Sequence, residues 1–342
     1  MSLAEAIKRE AQALGFDAVG ISRVGPHGRP PAGSTPFIPL IPPDPITSLP
    51  HLLFSRLTEW LERGYHGTMA WMMRDPSRRS DPQQVLPGYR SMVSVGMNYY
   101  TENRANEQPG MGRIARYAWG KDYHTVMSRR LAQLEEKIAA LAPGVTTKSY
   151  VDTGPIMEKA WAQQAGLGWI GKHSNLVSAE FGSWLLLGEI LTTLDLEQDE
   201  PGTDLCGSCT LCIQACPTGA IVEPYVVDAR LCISYLTIEL RGGREVISDD
   251  LAVQMGNRIF GCDDCLDACP FNLRSDATRE SAFNPTPLTL APDLTALTQI
   301  GEESFSATFK ESPLKRAKQS GLLRNIGIAQ ENQRRQTEIQ GT

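Results

Sequence analysis

Leu3, Ile7, Ala11 and Leu14 recur at the spacing of one helical face, and Gly15 ends the run. Phe16 to Ile21 then alternates as a short strand does. From Gly25 to Pro50 the chain is rich in Pro, Gly and Ser, which predicts an irregular, exposed excursion. A helix is predicted from about Leu52 to Arg63, closing at Gly64. A buried strand follows over Ser91 to Tyr99, and another over Arg113 to Trp119. The clearest amphipathic helix is Thr125 to Leu141, with Leu131, Leu134, Ile138 and Leu141 on one face and Pro143-Gly144 after it. Lys148 to Asp152 reads as a strand and Ile156 to Ala165 as a helix. Asn175 to Thr193 reads as a hairpin about Glu180-Phe181-Gly182. This mixture lacks the strand–helix alternation of a doubly wound sheet, so the expected class is α+β. Three parts are expected: an α+β sandwich over residues 1–195, a cysteine-bearing unit over 196–275, and a helical tail over 276–342 whose polar end, from about Glu331, frays.

Composition narrows the class. The chain has 342 residues, 41% hydrophobic and 21% charged, with a formal net charge of −6. That apolar content excludes intrinsic disorder. The longest apolar run, Trp184 to Leu194, is broken by Gly188 and Glu189, so no membrane span is expected. The N-terminus has no basic-then-apolar leader, and a cytoplasmic address is expected.

All eight cysteines fall between residues 206 and 269. Thiols crowded this tightly in a reducing compartment read as metal ligands rather than disulfides. Cys206-x2-Cys209-x2-Cys212-x3-Cys216-Pro217 is the bacterial iron–sulfur run, in which the first three thiolates wrap one cubane and the fourth serves a second. Cys262-x2-Cys265-x3-Cys269-Pro270 repeats its last three members, with Ile259 where the first would stand, and Cys232 makes up the deficit. By the crossing rule one [4Fe-4S] cluster takes Cys206, Cys209, Cys212 and Cys269, and the other takes Cys216, Cys232, Cys262 and Cys265. A pair of structural zinc ions is the alternative, but a third cysteine at x2 followed by x3 has no tetrahedral logic.

Such a module alone makes an electron carrier, and the 200 residues before it argue for an enzyme fed by it. Gly166-Leu-Gly168-Trp-Ile-Gly171 has the letters of a dinucleotide motif but follows a helix rather than a strand, so a Rossmann site is not supported. The segments Tyr150-Val-Asp152-Thr-Gly-Pro155, Gly166-Leu-Gly-Trp-Ile-Gly-Lys172-His173-Ser-Asn175-Leu176, Trp119-Gly-Lys-Asp122-Tyr123-His124 and Cys232-Ile-Ser234-Tyr235, with Gly261-Cys-Asp-Asp-Cys265, resemble the epoxyqueuosine reductase family. The resemblance runs from the first helix to about Arg324-Asn325. It implies a nitroreductase-like α+β domain binding base-off cobalamin beside the two-cluster module. The activity implied is reduction of epoxyqueuosine to queuosine at the wobble position of tRNA, the last step of queuosine biosynthesis. Asp152 is implied as proton donor, and corrin contacts are implied at Arg74, Ala115, Asp152, Lys172, Asn175, Leu176 and Ser234. The implied partners are an epoxyqueuosine-bearing anticodon stem-loop and an external donor such as flavodoxin or ferredoxin, acting on a monomer.

Each residue also has a plainer reading. Asp152 before Gly-Pro could mark a helix start. His124 and His173 could be hydrogen-bonded structural histidines, Arg74 a surface charge, Asn175 a chain turn and Ser234 a turn hydrogen bond. For Asp152 to donate at neutral pH, a low-dielectric pocket is expected to raise its pKa. The negative net charge does not suggest RNA, although Lys310, Lys315, Arg316, Lys318 and Arg324 form one basic stretch and Arg113, Arg116 and Lys121 another. Two rival functions use the same cysteines: a cobalamin reductive dehalogenase, which would carry an export leader, and a non-catalytic electron-transfer subunit.

Overall fold

Ser2 opens the first helix with a capping box: its hydroxyl accepts from the Glu5 N–H at 3.2 Å while the Glu5 carboxylate accepts from the Ser2 N–H at 2.7 Å. The computed structural model describes residues 1–23 and 49–340. The proline-rich stretch Gly25 to Pro50 therefore lies, but for its last two residues, outside the described residues. In chain order the first half contains α1 (Leu3–Ala13), β1 (Ala18–Arg23), α2 (Leu49–Glu62), α3 (Pro76–Ser80), β2 (Ser91–Asn98), β3 (Arg113–Ile114), α4 (Tyr123–Leu141), β4 (Thr147–Tyr150), α5 (Glu158–Gln164), β5 (Trp169–Ile170), β6 (Leu176–Val177) and β7 (Leu185–Thr192). The second half contains α6 (Leu211–Ala215), β8 (Ile221–Glu223), β9 (Val226–Val227), α7 (Ile233–Ile238), α8 (Asp249–Met255), β10 (Arg258–Phe260), α9 (Asp264–Asp267), α10 (Pro287–Leu290), α11 (Leu294–Thr298), α12 (Glu302–Thr308) and α13 (Lys318–Gln340).

The fold class is α+β, as the sequence pattern implies. An antiparallel sheet of order β1-β2-β7-β4 is covered on both faces. On one face Ile7 and Ala11 of α1 and Met127, Leu131, Leu134 and Ile138 of α4 close over Val93, Val95 and Ile190. On the other, Leu49 and Leu53 of α2 and Ala160 and Trp161 of α5 close over Met92 and Leu191. Removing these large side chains from water supplies the main drive for the sandwich, at about 1.5–3 kcal/mol for each one fully buried.

Three expectations needed correction. The hairpin over Asn175 to Thr193 does not form: β6 pairs with β5, and only Ser178 and Gly182 bridge across the expected turn. β7 is buried on both faces, with Leu186 and Ile190 turned to one core and Leu191 to the other, and a strand so built belongs in the centre of the sheet. The strand over Arg113 to Trp119 stops after two residues, because the Trp119 indole N–H donates to the Ile114 carbonyl at 2.8 Å and folds the chain back. The tail does not fray at Glu331 but stays helical to Gln340. Its polar residues serve as backbone partners: the Asn332 amide donates to the Ala252 and Gly256 carbonyls at 2.7 and 2.9 Å, and the Gln333 side chain accepts from the Gly110 N–H.

The tail also joins the halves. β10 pairs in parallel with β3, and Phe305, Phe309, Leu322 and Ile326 pack over that joint. Arg324 and Asn325 are buried, the former donating to the Leu236 and Leu240 carbonyls and the latter to those of Thr237 and Ile259 at 2.9 Å each.

Candidate active site and cluster-binding module

β4 delivers the chain to Asp152, which adopts a φ of 55°, in the left-handed region that Asp tolerates better than most residues. Its side chain is 62% exposed, and with His124, Glu158 and Lys159 around it marks the recess at the N-terminus of α4. There His124 stands between two carboxylates, Nδ1 at 2.7 Å from Asp122 Oδ1 and Nε2 at 3.4 Å from Asp152 Oδ2. Asp122 also caps α4 by accepting from the His124 N–H, and its second oxygen accepts from Lys315 Nζ at 2.9 Å. The Tyr123 ring stacks on the imidazole with centroids 4.1 Å apart.

The electrostatics of this group reverse one expectation. Burial disfavours a charged His124, but Asp122 and Asp152 outweigh it and lift the imidazole to about 9. The hydrogen bond from His124 in turn holds the Asp152 carboxyl below its ordinary value, against the desolvation by the groups packed around it. The carboxyl that does rise toward neutrality is Glu158, pushed up to about 8 by burial and by the charge of Asp152. In the open recess the proton is therefore held by His124, in contact with Asp152.

Below Asp152, Lys159 donates to the Ser174 carbonyl at 2.9 Å and to Asn175 Oδ1 at 2.8 Å. Burial depresses its pKa, and the Cys232 and Cys265 thiols lie within its electrostatic reach. The eight thiols fall into two groups by mutual influence. Cys212, pushed up to about 11 by burial, also feels Cys206, Cys269 and Cys209, whereas Cys265 feels Cys262, Cys232 and Cys216. Those are the two ligand sets expected from spacing, and their donor chemistry fits two iron–sulfur clusters. The second set borders the Asp152 recess. The first includes Cys206 and Cys212, whose neighbours Leu205 and Leu211 are exposed.

The sequence-expected corrin contacts separate in space. Asn175 faces the recess through Lys159. Ala115 is buried against Gly261, where a Cβ would come within 2.5 Å of the alanine's own. Ser234 directs its hydroxyl and N–H at Cys232, so it supports a cluster ligand. Arg74 is exposed after the turn Ala70–Met73. Lys172 turns to the first cysteine set, its Nζ donating to the Gly207 and Cys209 carbonyls at 2.6 and 2.8 Å and its N–H directed at Cys206. Leu176 places its side chain in a core with Ala162 and Leu167. His173 is buried, its Nδ1 accepting from the Asn175 N–H at 3.2 Å, and burial lowers it to about 4, so it is a neutral structural group.

The basic stretches also have structural duties. Arg113 bonds Asp264 and Asp267 across the joint between halves, Arg316 bonds Glu239, and Arg324 is buried. Sequence reasoning missed Glu158 and Lys159, and read Lys315 only as part of a basic stretch. A Glu–Lys pair opening an otherwise apolar helix reads as ordinary helix-end charge, and only its adjacency to Asp152-Thr-Gly-Pro hinted at more.

Comparison with known proteins gives this geometry a context. The family described as "Epoxyqueuosine reductase QueG, DUF1730" matches residues 79–153, and "4Fe-4S double cluster binding domain" matches residues 205–272. An epoxyqueuosine reductase of Synechocystis sp. PCC 6803 is 45% identical over 271 residues, covering 79% of this chain and 92% of its own. Among solved structures, an epoxyqueuosine reductase with a tRNA-Tyr epoxyqueuosine-modified stem loop superposes with a TM-score of 0.83 at 29% identity, covering 97% of this chain and 81% of that one. The Bacillus subtilis epoxyqueuosine reductase, captured with its catalytic aspartate loop swung out of the active site, gives 0.82 at 28% identity, covering 99% and 84%. Among the described residues no helix is long and apolar enough to cross a membrane.

Proposed function

The chain belongs to the epoxyqueuosine reductase family and is an oxidoreductase of that activity, and on that premise we propose how its residues carry out the reduction of epoxyqueuosine to queuosine in a tRNA anticodon stem-loop. Removing the epoxide oxygen as water consumes two electrons and two protons, so the site must deliver a proton to that oxygen as the C–O bonds break. Asp152 is the group placed to do so. It is exposed to the recess, and His124 beside it carries the proton that can restore it. This contact is the single observation that carries the assignment. A substrate closing the recess would strip water from the Asp152 carboxylate and raise its affinity for the His124 proton.

The polar groups around Asp152 would hold a corrin as well as a nucleoside. Asp152, Lys159 and Asn175 present charged and amide groups to it, with Ser234 and Ala115 on the elements behind the second cysteine set. Bound there, cobalamin would supply a strongly nucleophilic, reducing cobalt, recharged one electron at a time through the two clusters. The chain's own part is to order that supply. The first cysteine set is flanked by the exposed Leu205 and Leu211, and Cys232 and Cys265 of the second lie within electrostatic reach of Lys159, so electrons from a donor such as flavodoxin or ferredoxin would enter at the first and leave at the second. We place the enzyme, a monomer, in the cytoplasm, with parts at residues 1–195, 196–275 and 276–342.

Reconstitution with iron, sulfide, cobalamin, a strong reductant and epoxyqueuosine-containing tRNA, read by nucleoside mass spectrometry, is expected to give queuosine. Clusters without queuosine formation would favour the electron-transfer subunit instead.

A further inference from the structure

Glu158 takes no part in the chemistry above, yet it makes the shortest polar contact to the donor's backbone: its Oε1 accepts from the Asp152 N–H at 2.6 Å, closing the loop of residues 152–158. Asp152 lies in the left-handed region at that loop's start, and the Thr153 hydroxyl returns to the Val151 carbonyl. The other end of the contact is fixed. Glu158 is the first residue of α5, and Ala160, Trp161 and Ala162 behind it are buried between the strands of the main sheet and the β5–β6 ladder. The N-cap, Met157, offers α5 no side-chain bond. The Glu158 carboxyl is thus free to turn back toward Asp152. Burial and the Asp152 charge keep it largely neutral below about pH 8, so it bonds the loop without adding charge beside the donor. The charged groups facing it are Asp152, Lys159 of its own helix and His124 of α4, with Glu189 of β7 beneath.

We propose that Glu158 is a positioning residue for the proton donor: its Oε1 latches the 152–158 loop to α5 and holds Asp152 in the conformation that meets His124 and the recess. The inference rests on the reading of Asp152 as donor. A latch of this kind acts on the chemical step rather than on binding, because displacing a donor by about 1 Å can cost on the order of 100-fold in rate.

The test uses the reconstituted enzyme and three variants, Glu158→Gln, Glu158→Asp and Glu158→Ala, with iron content as the check on folding. Glutamine keeps an oxygen acceptor at the same reach, aspartate falls one methylene short, and alanine has none. Glu158→Gln is expected to keep kcat within about threefold, while Glu158→Asp and Glu158→Ala lose about tenfold or more with KM for tRNA unchanged. Hydrogen exchange of the 151–157 segment should quicken in Asp and Ala but not in Gln. The latch is overturned if aspartate or alanine keeps full kcat, if glutamine falls as far as alanine, or if exchange is the same in all three. Should alanine lose iron, the Gln–Asp pair decides alone. Failure of the donor reading is separate: it would appear as an Asp152→Asn enzyme at full rate, and the exchange experiment would still judge the latch.

Discussion

The cysteine module and the Asp152 recess are built on opposite plans. In the module seven of the eight cysteines come from two short runs, 206–216 and 262–269, and local turns bring the thiols together. In the recess only Asp122 with His124 and Glu158 with Lys159 come from the same short run. Asp152 arrives from β4, Glu158 and Lys159 from α5, and Lys315 from the tail, so only the finished fold assembles them. A site made of local runs can be read as spacing, whereas one made of distant segments is visible only as scattered residues whose meaning depends on packing. The module should accordingly fail in whole units and the recess by degrees.

The largest expected effect tests the module. Cys232 is the one ligand outside both runs, so Cys232→Ala should remove one cluster, leaving half the iron and no turnover. Full iron in that variant would contradict the ligand partition.

Next comes the donor. Asp152→Asn keeps the shape and cannot give up a proton, so kcat should fall about 10²–10⁴-fold with both clusters intact, as single-turnover assays and iron content would show. An undiminished rate would move the donor role elsewhere in the recess.

His124→Gln probes the proton store. In the folded chain the imidazole titrates at about 9, above its ordinary 6.5, so the paired, charged form is complete below 6.5 and is lost as pH rises through 9. The rate should therefore hold from neutral pH to about 9 and decline above it. Without His124 the proton rests on Asp152 alone, and the alkaline limb should move to lower pH with a kcat loss of about tenfold. A limb that stays in place would show that the store is another group.

How much of this was legible follows from the two plans. The run Cys206 to Cys216 is legible as spacing, and the expected crossing of Cys269 to the first set agrees with its lying within electrostatic reach of Cys212. The helix at Tyr123–Leu141 and the strand at Ser91–Asn98 followed from periodicity alone, because each commits a continuous face to the core. β7 was misjudged as half a hairpin because short range favours Ser178 and Gly182, whereas burial on both sides carries Leu186 and Leu191 to the sheet centre. Lys172 illustrates the same limit in the site. Its neighbours in sequence, Gly171 and His173, say nothing of the Gly207 and Cys209 carbonyls that claim its ammonium. The sign of the Asp152 shift was out of reach for the same reason, since it depends on His124, 28 residues away.

Lys315→Ala gives the smallest effect, and its sign is the informative part. Lys315 is half exposed, and an exposed ion pair is worth only about 0–1 kcal/mol, so stability and kcat near neutral pH should hardly change. Yet its partner Asp122 is nearly buried and also holds His124 Nδ1. Taking the ammonium away leaves that carboxylate less neutralised and a better partner for a charged imidazole. The alkaline limb of the rate, or the His124 ring resonances followed by NMR, should then shift upward by a few tenths of a pH unit, and less so at high salt, which screens the exposed lysine. A downward shift would mean that Lys315 acts by holding Asp122 in place rather than through its charge, and the tail would then be a scaffold of the recess instead of a modulator of its proton.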